Sequence, residues 1–162
     1  MHEIRPATLA DVASIAEFQT TAWNDAYRDL VPAEYLDRMT VATRTERWGN
    51  RIRLGERTIL LAERDGRLEG VVSYRLASHP GLVEGLELTS LYVAADIRSS
   101  GLGSQLLEFA LANQPAFLWV FRDNPRAIEF YRRHRFELDG TESLDEDTGL
   151  ALTRMARGRE SP

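Results

Sequence analysis

Two spacings of hydrophobic residues follow one another along the chain, and the changes between them predict a mixture of helices and strands. Apolar residues recur at helical intervals over about 9–27 and again over roughly 43–54. The runs 58–63 and 68–75 are instead rich in residues that favour strands. Asp65-Gly66 between these two runs predicts a tight hairpin, because both residues tolerate a positive φ.

The centre of the chain predicts a strand, a short loop and a second amphipathic helix. Residues 87–93 favour a strand, and the helix that follows places Leu102, Leu106, Phe109 and Ala110 at spacings that share one face. The next apolar run, 117–121, is almost continuous. That pattern is typical of a strand covered on both faces.

A third helix and a last pair of strands complete the pattern. Asn124-Pro125 predicts a helix start, with Asn124 as the N-cap and Pro125 in the first turn. Strands are expected near 136–139 and 151–155. Helices and strands mixed in this way predict an α/β fold of mixed layers, with one domain over 1–156 and a loose tail at 157–162.

The loop between the central strand and its helix predicts an anion-binding site. The first N–H groups of a helix lack intrahelical acceptors and carry partial positive charge. Glycines at 101 and 103 remove the side chains that would keep an anion away from them, and Arg98 adds a cation. A tight turn with no ligand is the alternative interpretation. The loop is Arg98-Ser99-Ser100-Gly101-Leu102-Gly103-Ser104.

The spacing of the glycines narrows the choice of phosphate ligand. No Walker sequence occurs in the chain. A dinucleotide fingerprint would need glycine at 106, where the chain has Leu106, although Asp123 lies at a distance that would suit a ribose contact. Dinucleotide binding is therefore the weaker interpretation of the loop.

Two separate motifs resemble those of the GNAT superfamily of N-acetyltransferases. Arg98-x-x-Gly101-x-Gly103, after a strand that ends in Leu91-Tyr92-Val93, is similar to the family's acetyl-CoA pyrophosphate loop. The segment 124–136 resembles the family's later motif, in the right order along the chain. The resemblance covers the chain from Ile4 to about Met155.

The resemblance implies a fold, a co-substrate and a reaction. The fold would be a twisted, mostly antiparallel sheet flanked by helices, in which strands 86–93 and 117–121 run parallel and splay apart. Acetyl-CoA would enter that cleft and donate its acetyl group to a primary amine by direct attack in a ternary complex. The implied coenzyme contacts are the loop 98–104, the strand residues Leu91, Tyr92 and Val93, and Asn124, Ala127, Phe130 and Tyr131.

The resemblance also suggests the catalytic groups. Tyr131 is similar to the tyrosine that protonates the leaving thiolate in this family, although a tyrosine on an apolar helical face is also common in cores. Glu87 is the candidate base, since strand alternation places it on the face of Leu91 and Val93. Glu84 is its rival, and a purely solvated carboxylate is the structural alternative.

The acceptor site is less specific in the sequence. The segments expected to shape it, about 23–36 and 76–84, carry no motif, so small-molecule and peptide amines both remain open as acceptors. Trp23 and Tyr27 resemble the segment that walls the acceptor pocket in related enzymes, but aromatic residues one turn apart also suit a core. Arg132 and Arg133 could reach the 3′-phosphate of the coenzyme or pair with Glu129. Many relatives have glycine where this chain has Arg135, in a position that often needs a positive φ.

Composition and charge limit the remaining function classes. The 162 residues carry a net charge of −5, which argues against general nucleic-acid binding and favours cationic acceptors. The chain has no cysteine, so a cysteine acyl-enzyme is excluded. The three histidines show no ligand spacing, and we expect no metal.

Localisation and alternatives follow from the same features. The N-terminus lacks an apolar signal segment and no long apolar run occurs, so we expect a cytoplasmic protein without membrane or nucleic-acid partners. Relatives are often homodimers, which leaves that state open here. A non-catalytic acyl-CoA-binding module on the same scaffold is the main alternative function, and a binder of NAD or ATP is the last.

Overall fold

The computed structural model describes residues 1–77 and 85–158. Its strands are β1 (Glu3–Pro6), β2 (Thr58–Arg64), β3 (Arg67–Ala77), β4 (Gly85–Val93), β5 (Ala116–Phe121), β6 (Glu137–Leu144) and β7 (Ala151–Arg157). Its α-helices are α1 (Val12–Tyr27), α2 (Ala33–Arg38), α3 (Val41–Leu54), α4 (Leu102–Leu111) and α5 (Pro125–Arg133). One-turn 3₁₀ helices lie at Leu9–Asp11 and Ala95–Ile97.

The described strands form one seven-stranded sheet in the order β1-β2-β3-β4-β5-β7-β6. Its pairs are antiparallel except for β4 and β5, which run parallel. The predicted hairpin joins β2 to β3, with φ of 53° at Asp65 and 76° at Gly66. Two consecutive positive φ values match the twist of the flanking strands. The predicted fold class is confirmed.

The parallel pair separates after its first three rungs. Pairing runs only from Leu86–Ala116 to Leu88–Leu118, although β4 continues to Val93 and β5 to Phe121. On its other edge β4 stays paired with β3 up to Val93. Within the described chain, the second half of β4 is therefore left without a strand partner on the β5 side, as the predicted splay requires.

A β-bulge in β4 changes which side chains share a face. Ser73 pairs with Ser90, but the next residue of β3 pairs with Leu88, so Thr89 is an extra residue in β4. Glu87 consequently faces the same side of the sheet as Ser90 and Tyr92, and not the side of Leu91. The expectation from strict alternation was wrong here, because a bulge resets the two-residue period.

Helix α4 packs against one face of the sheet. Its buried residues are Leu102, Leu106, Leu107, Ala110 and Leu111. Phe109, which helical spacing had placed on this face, is 60% exposed, so that assignment was wrong. A Cβ on Gly70 of β3 would lie only 2.7 Å from Leu106 Cδ1. The close packing of β3 and α4 is therefore made possible by a glycine in the strand. In a dinucleotide-binding fold the glycine that allows this packing lies in the helix.

Helices α1 and α3 cover the opposite face. Ile15 and Trp48 are completely buried there and pack with Leu61 and Val71 of the sheet. A smaller apolar cluster around Tyr35 lies beyond the end of β5. The sheet therefore has a helical layer on each side, and both layers reach the splayed strands.

The end of the chain differs from the expected tail. Arg157 is the last residue of β7, is buried, and donates to the carbonyl oxygen of Ala112 at 2.5 Å. It belongs to the sheet and not to a loose segment. Residues 159–162 lie outside the described residues, as do Glu84 and most of the 76–84 segment that was expected to shape the acceptor pocket.

Candidate active site

The β4–α4 loop presents backbone N–H groups at the start of a ten-residue helix. Ser99 and Gly101 have φ of 70° and 93°, both in the left-handed region. Within the described chain no acceptor contacts four of the loop's N–H groups. The other three are used: Arg98 and Ser100 donate to the carbonyl oxygens of Ala95 and Ile97, and Leu102 donates to the Ser100 hydroxyl. The four free groups belong to Ser99, Gly101, Gly103 and Ser104.

Contacts of the first helical turn join the loop to α5. A Cβ on Gly103 would lie 3.4 Å from Phe130 Cζ, so this position faces α5 closely. The Ser104 hydroxyl lies 2.9 Å from Nε2 of His134. Burial and the nearby Arg133 lower the pKa of His134, which favours the neutral ring at this contact.

The loop opens into a cavity of about 530 Å³, which we call the loop cavity. Most of the predicted coenzyme residues line it. Its walls come from the C-terminal half of α1, the end of β4, the loop and α5. The lining residues are Ala22, Asp25, Ala26, Tyr27, Leu91, Tyr92, Val93, Ile97, Arg98, Ser99, Gly101, Gly103, Ser104, Asn124, Arg126, Ala127, Phe130, Tyr131 and Arg133. Ser100 and Leu102 do not line it, and Leu102 points into the core.

The loop cavity is electropositive. Arg98, Arg126 and Arg133 line it, against one carboxylate from Asp25. Arg132 instead donates to Glu129 at 3.2 Å, so of the two adjacent arginines only Arg133 reaches the cavity. The sequence analysis missed Arg126, which follows the Asn-Pro start of α5. Its place in the first helical turn, beside the N-cap, is the signal that could have identified it.

Helix α5 positions the tyrosine. The Asn124 side chain caps the helix by accepting from the N–H of Ala127 at 3.3 Å, and Pro125 follows as predicted. Tyr131 lies on the face of α5 that is turned toward the end of β4. Its ring centroid lies 5.2 Å from that of Phe130. Burial raises the pKa of Tyr131 well above its ordinary value, with a smaller contribution from Tyr92. The phenol therefore remains protonated at neutral pH.

Helix α5 ends just before Arg135, the position at which many related sequences have glycine. Arg135 adopts φ of 71°, in the left-handed region that favours glycine. Its side chain donates to Asn113 at 3.2 Å. The N–H groups of both His134 and Phe136 donate to the carbonyl oxygen of Tyr131. The backbone therefore adopts the left-handed conformation after α5 although the residue at this position is arginine and not glycine.

A second cavity of about 310 Å³ lies on the α1 and α3 side, and we call it the arginine cavity. Aromatic rings form much of its wall: Trp23 lies 4.5 Å from Tyr27 and 5.6 Å from Tyr35, measured between ring centroids. Both predicted acceptor residues line it. The complete lining is Gln19, Trp23, Tyr27, Tyr35, Met39, Arg44, Arg47, Arg51, Arg57, Leu88, Thr89, Ser90, Leu91, Tyr92, Leu118, Trp119, Val120, Phe121, Ala127, Tyr131, Asp145, Asp147 and Leu152.

The two cavities meet along a shared wall. Five residues line both: Tyr27, Leu91, Tyr92, Ala127 and Tyr131. The hydroxyl of Tyr92 accepts from Trp23 Nε1 at 2.9 Å and from Gln19 Nε2 at 3.4 Å, which leaves its own proton free to be donated. Only the backbone of Tyr92 had been predicted to matter. Its neighbours in α1 are distant in sequence, so no local pattern indicated this contact.

Glu87 lies apart from the two cavities. Its carboxylate accepts from Arg75 at 2.9 Å, and it lines neither of them. It shares a face of the sheet with Ser90 and Tyr92, both of which line the arginine cavity. The described structure therefore brings Tyr131 and the loop together, and leaves Glu87 in an ion pair on the side of the arginine cavity.

The sequence profile of the acetyltransferase (GNAT) family matches residues 16–136, about three quarters of the chain. The matched region contains the loop, the splayed strands and all but one turn of α1. This chain belongs to the GNAT acetyltransferase family.

Individual relatives agree with this assignment. An uncharacterised N-acetyltransferase of Bacillus subtilis, YuaI, is 26% identical over 165 aligned positions that cover 98% of this chain and 92% of YuaI. PaiA N-acetyltransferase of Thermoplasma acidophilum, in complex with coenzyme A, superposes with a TM-score of 0.75 at 20% identity and covers 99% of each chain. The acetyltransferase yncA of Salmonella typhimurium, with acetyl-CoA, gives 0.68 at 21% identity, over 100% of this chain and 96% of that one. The two structures share the fold.

Two kinds of feature are absent from the described residues. No helix within 1–77 and 85–158 is long and apolar enough to cross a membrane. In the same ranges no three His, Cys, Asp or Glu side chains come together as a candidate metal site.

Proposed function

We propose that the protein is an acetyl-CoA-dependent N-acetyltransferase that transfers the acetyl group to a primary amine by direct attack in a ternary complex. The observation that carries this proposal is the shared wall. An electropositive cavity with free N–H groups meets a second cavity at a half-buried, protonated tyrosine. Two substrates bound one on each side would meet beside Tyr131.

The loop would hold the coenzyme by its phosphates. The N–H groups of Ser99, Gly101, Gly103 and Ser104 suit a pyrophosphate, because no acceptor in the described part of the chain contacts them and they lie at a helix start. Arg98, Arg126 and Arg133 add charge that would balance the remaining phosphate oxygens. The unpaired half of β4, Leu91 to Val93, would bind the pantetheine arm as an added strand.

The reaction needs two proton movements. The amine nitrogen forms a bond to the acetyl carbon, the bond from that carbon to sulfur breaks, the amine loses a proton and the thiolate gains one. Tyr131 would give the proton, and its position in the walls of both cavities supports this role. Glu87 remains our candidate for accepting the amine proton. Because it lines neither cavity, it would act through water.

Coenzyme binding is tested by isothermal calorimetry with acetyl-CoA on the wild type and on Gly101→Ala. A Cβ at 101 meets no atom within 4 Å, but φ is 93°, so the variant strains the loop and covers its N–H groups. Gly66→Ala is the matched control, because Gly66 also has a positive φ of 76° and open space but lies in the distant hairpin. We expect affinity to fall about tenfold or more only in Gly101→Ala. Equal affinities in the two variants would contradict the proposed loop.

Catalysis is tested by release of free coenzyme A thiol in the presence of a broad amine panel. Turnover of any amine supports the enzyme. Tight binding of acetyl-CoA without thiol release would favour the alternative, a non-catalytic acyl-CoA-binding module. Preference for NAD or ATP over coenzyme A would contradict both.

A further inference from the structure

Four arginines converge on the arginine cavity. Arg44, Arg47 and Arg51 lie on one face of α3, at spacings of three and four residues, and Arg57 lies immediately before β2. The carboxylates in the described lining are only those of Asp145 and Asp147. The cavity is therefore cationic inside a chain whose net charge is −5.

Two of the four arginines already have protein partners. Arg47 donates to Asp147 at 3.1 Å. Arg44 is 2% exposed and donates to Thr20 Oγ1 at 3.0 Å and to the carbonyl oxygen of Met39 at 2.6 Å. Its Nε and Nη2 atoms have no partner within the described structure. Even this structural arginine therefore keeps unused donors beside the cavity.

Neither Arg51 nor Arg57 forms an ion pair among the described residues, and the carboxylates of Asp147 and Glu87 act on them only from a longer distance. The guanidinium of Arg51 lies 4.8 Å from the Trp48 ring, which fixes the side chain without neutralising it. Burial, with a smaller effect of the neighbouring Arg57, lowers the pKa of Arg51 to about 10. Burial also lowers the pKa of Arg57, with Arg75 as the next cause. Two cations held close together and partly out of water are stabilised by an anion.

The coenzyme phosphates are not the obvious ligand of this pair. The loop cavity has its own arginines, and neither Arg51 nor Arg57 lines it. The anion expected at Arg51 and Arg57 therefore belongs to the other substrate. A volume of about 310 Å³ lies at the small end of the range for small-molecule sites, which suits a metabolite better than a folded protein surface.

We propose that the acceptor is a small amine that also carries an anionic group, carboxylate or phosphate, and that Arg51 and Arg57 bind this group while the amine faces Tyr131. This inference rests on the proposed acetyl transfer. It reverses the expectation of a cationic acceptor, because the charge of the lining, and not that of the whole chain, decides what the pocket binds. The aromatic wall would cover the apolar part of the same molecule.

The first experiment compares matched acceptors in the thiol-release assay. Each free amino acid of a set with apolar, aromatic and polar side chains is paired with its carboxamide, and phosphoethanolamine is paired with ethanolamine. Spermidine represents acceptors without an anion. We expect at least one acid to exceed its neutral partner about tenfold or more in kcat/KM, because a charged hydrogen bond is lost with the anion. The amino-acid arm and the phosphate arm identify which anion is used.

The second experiment removes the cations one at a time. Arg51→Gln and Arg57→Gln should raise KM for the preferred acid about tenfold or more, with little change for its neutral partner or for acetyl-CoA affinity. Arg53→Gln is the control, since Arg53 is exposed on the same helix and donates only to Asn50 at 3.1 Å. It should behave as the wild type.

The outcomes separate this inference from the proposed function. Equal use of acids and neutral amines, preference for spermidine, or unchanged KM in both variants would overturn the anionic acceptor and leave acetyl transfer standing. If no amine is acetylated, acetyl transfer fails. The acceptor role then fails with it, and calorimetry with the free amino acids, phosphoethanolamine and their neutral partners decides whether Arg51 and Arg57 form an anion site. Anion-selective binding that Arg51→Gln abolishes supports that site, and its absence from both arms overturns it.

Discussion

At the scale of single residues, Tyr131 is the group on which the proposed chemistry depends most. It lines both cavities, and its half-buried phenol is held in the protonated form. Tyr92 lies in the same shared wall. Its hydroxyl accepts two hydrogen bonds, and its own proton is still available for donation. The centre of the site is thus made of neutral hydroxyls, whereas its two ends are cationic.

Tyr131→Phe should lower kcat by roughly 10²-fold or more while acetyl-CoA affinity changes little, because the ring remains and only the proton donor is lost. Steady-state kinetics and calorimetry measure the two effects. Tyr74→Phe serves as the control, since Tyr74 lies against the core and lines neither cavity. Full turnover in Tyr131→Phe would remove this residue from the acid role.

Glu87→Gln separates a base from a structural ion pair. A base acting through water predicts a loss of about tenfold or more in turnover, largest at low pH where more of the amine is protonated. Arg75→Gln breaks the same ion pair and keeps the carboxylate. If both variants lose the same activity at every pH, the pair is structural, and the base is water or another residue such as Glu84.

At the scale of elements, the short signals in the sequence were the reliable ones. Asp65-Gly66 formed the hairpin and Asn124-Pro125 began α5, because each fixes its own backbone conformation locally. Thr8 and Asp11 likewise form a capping box at the start of the first helical segment, a signal that spans only four residues. Features that depend on pairing between distant strands were not encoded in any local pattern.

The bulge in β4 shows why the rest could not be predicted. Alternation assumes an unbroken two-residue period, and nothing in 87–93 indicates that Thr89 is an extra residue. The arginine cavity is a second case. The spacing of the three arginines of α3 was visible, but charged residues on an amphipathic helix normally face water. Only the packing of α3 beside the splayed strands turns them inward.

Asp11→Asn should destabilise the protein by about 1 kcal/mol at neutral pH, because Asp11 accepts from the Thr8 N–H at 2.7 Å and from two nitrogens of Arg5. These bonds, Arg5 first, lower the pKa of Asp11 to about 2. A lowered pKa in the folded state contributes stability that is complete above the unfolded value near 4 and is lost as pH falls toward 2.

Urea unfolding at several pH values measures this effect. The difference between wild type and Asp11→Asn should be constant from about pH 5 to 8 and shrink below about pH 4. Asp37→Asn, at an exposed position of α2, should stay within about 0.5 kcal/mol of wild type. A difference that grew at low pH would contradict the assigned role of Asp11.

At the scale of the whole molecule, the sheet separates two binding regions and joins them at one point. Helices α4 and α5, the loop, the end of β4 and the end of α1 line the loop cavity, and α1, α3 and the strands β4 and β5 together supply most of the arginine cavity. Parallel strands that part after three rungs create the gap through which the two regions touch. The fold itself therefore determines where an acetyl group could pass from a donor in the loop cavity to an acceptor in the arginine cavity.

This arrangement predicts sequential kinetics. Initial velocities measured at several fixed concentrations of acetyl-CoA should give intersecting double-reciprocal lines, because both substrates must be bound together. The chain has no cysteine to carry the acetyl group between two half-reactions. Parallel lines would indicate a covalent intermediate on another residue and would contradict direct transfer.

The extra residue of β4 has one more consequence. A regular strand turns every second side chain away from a given ligand. Here the neighbours Thr89 and Ser90 both line the arginine cavity, and the hydroxyl of Ser73 contacts both of theirs. Because of this one bulge residue, a rigid strand presents adjacent polar side chains to the cavity, an arrangement that is otherwise found in loops.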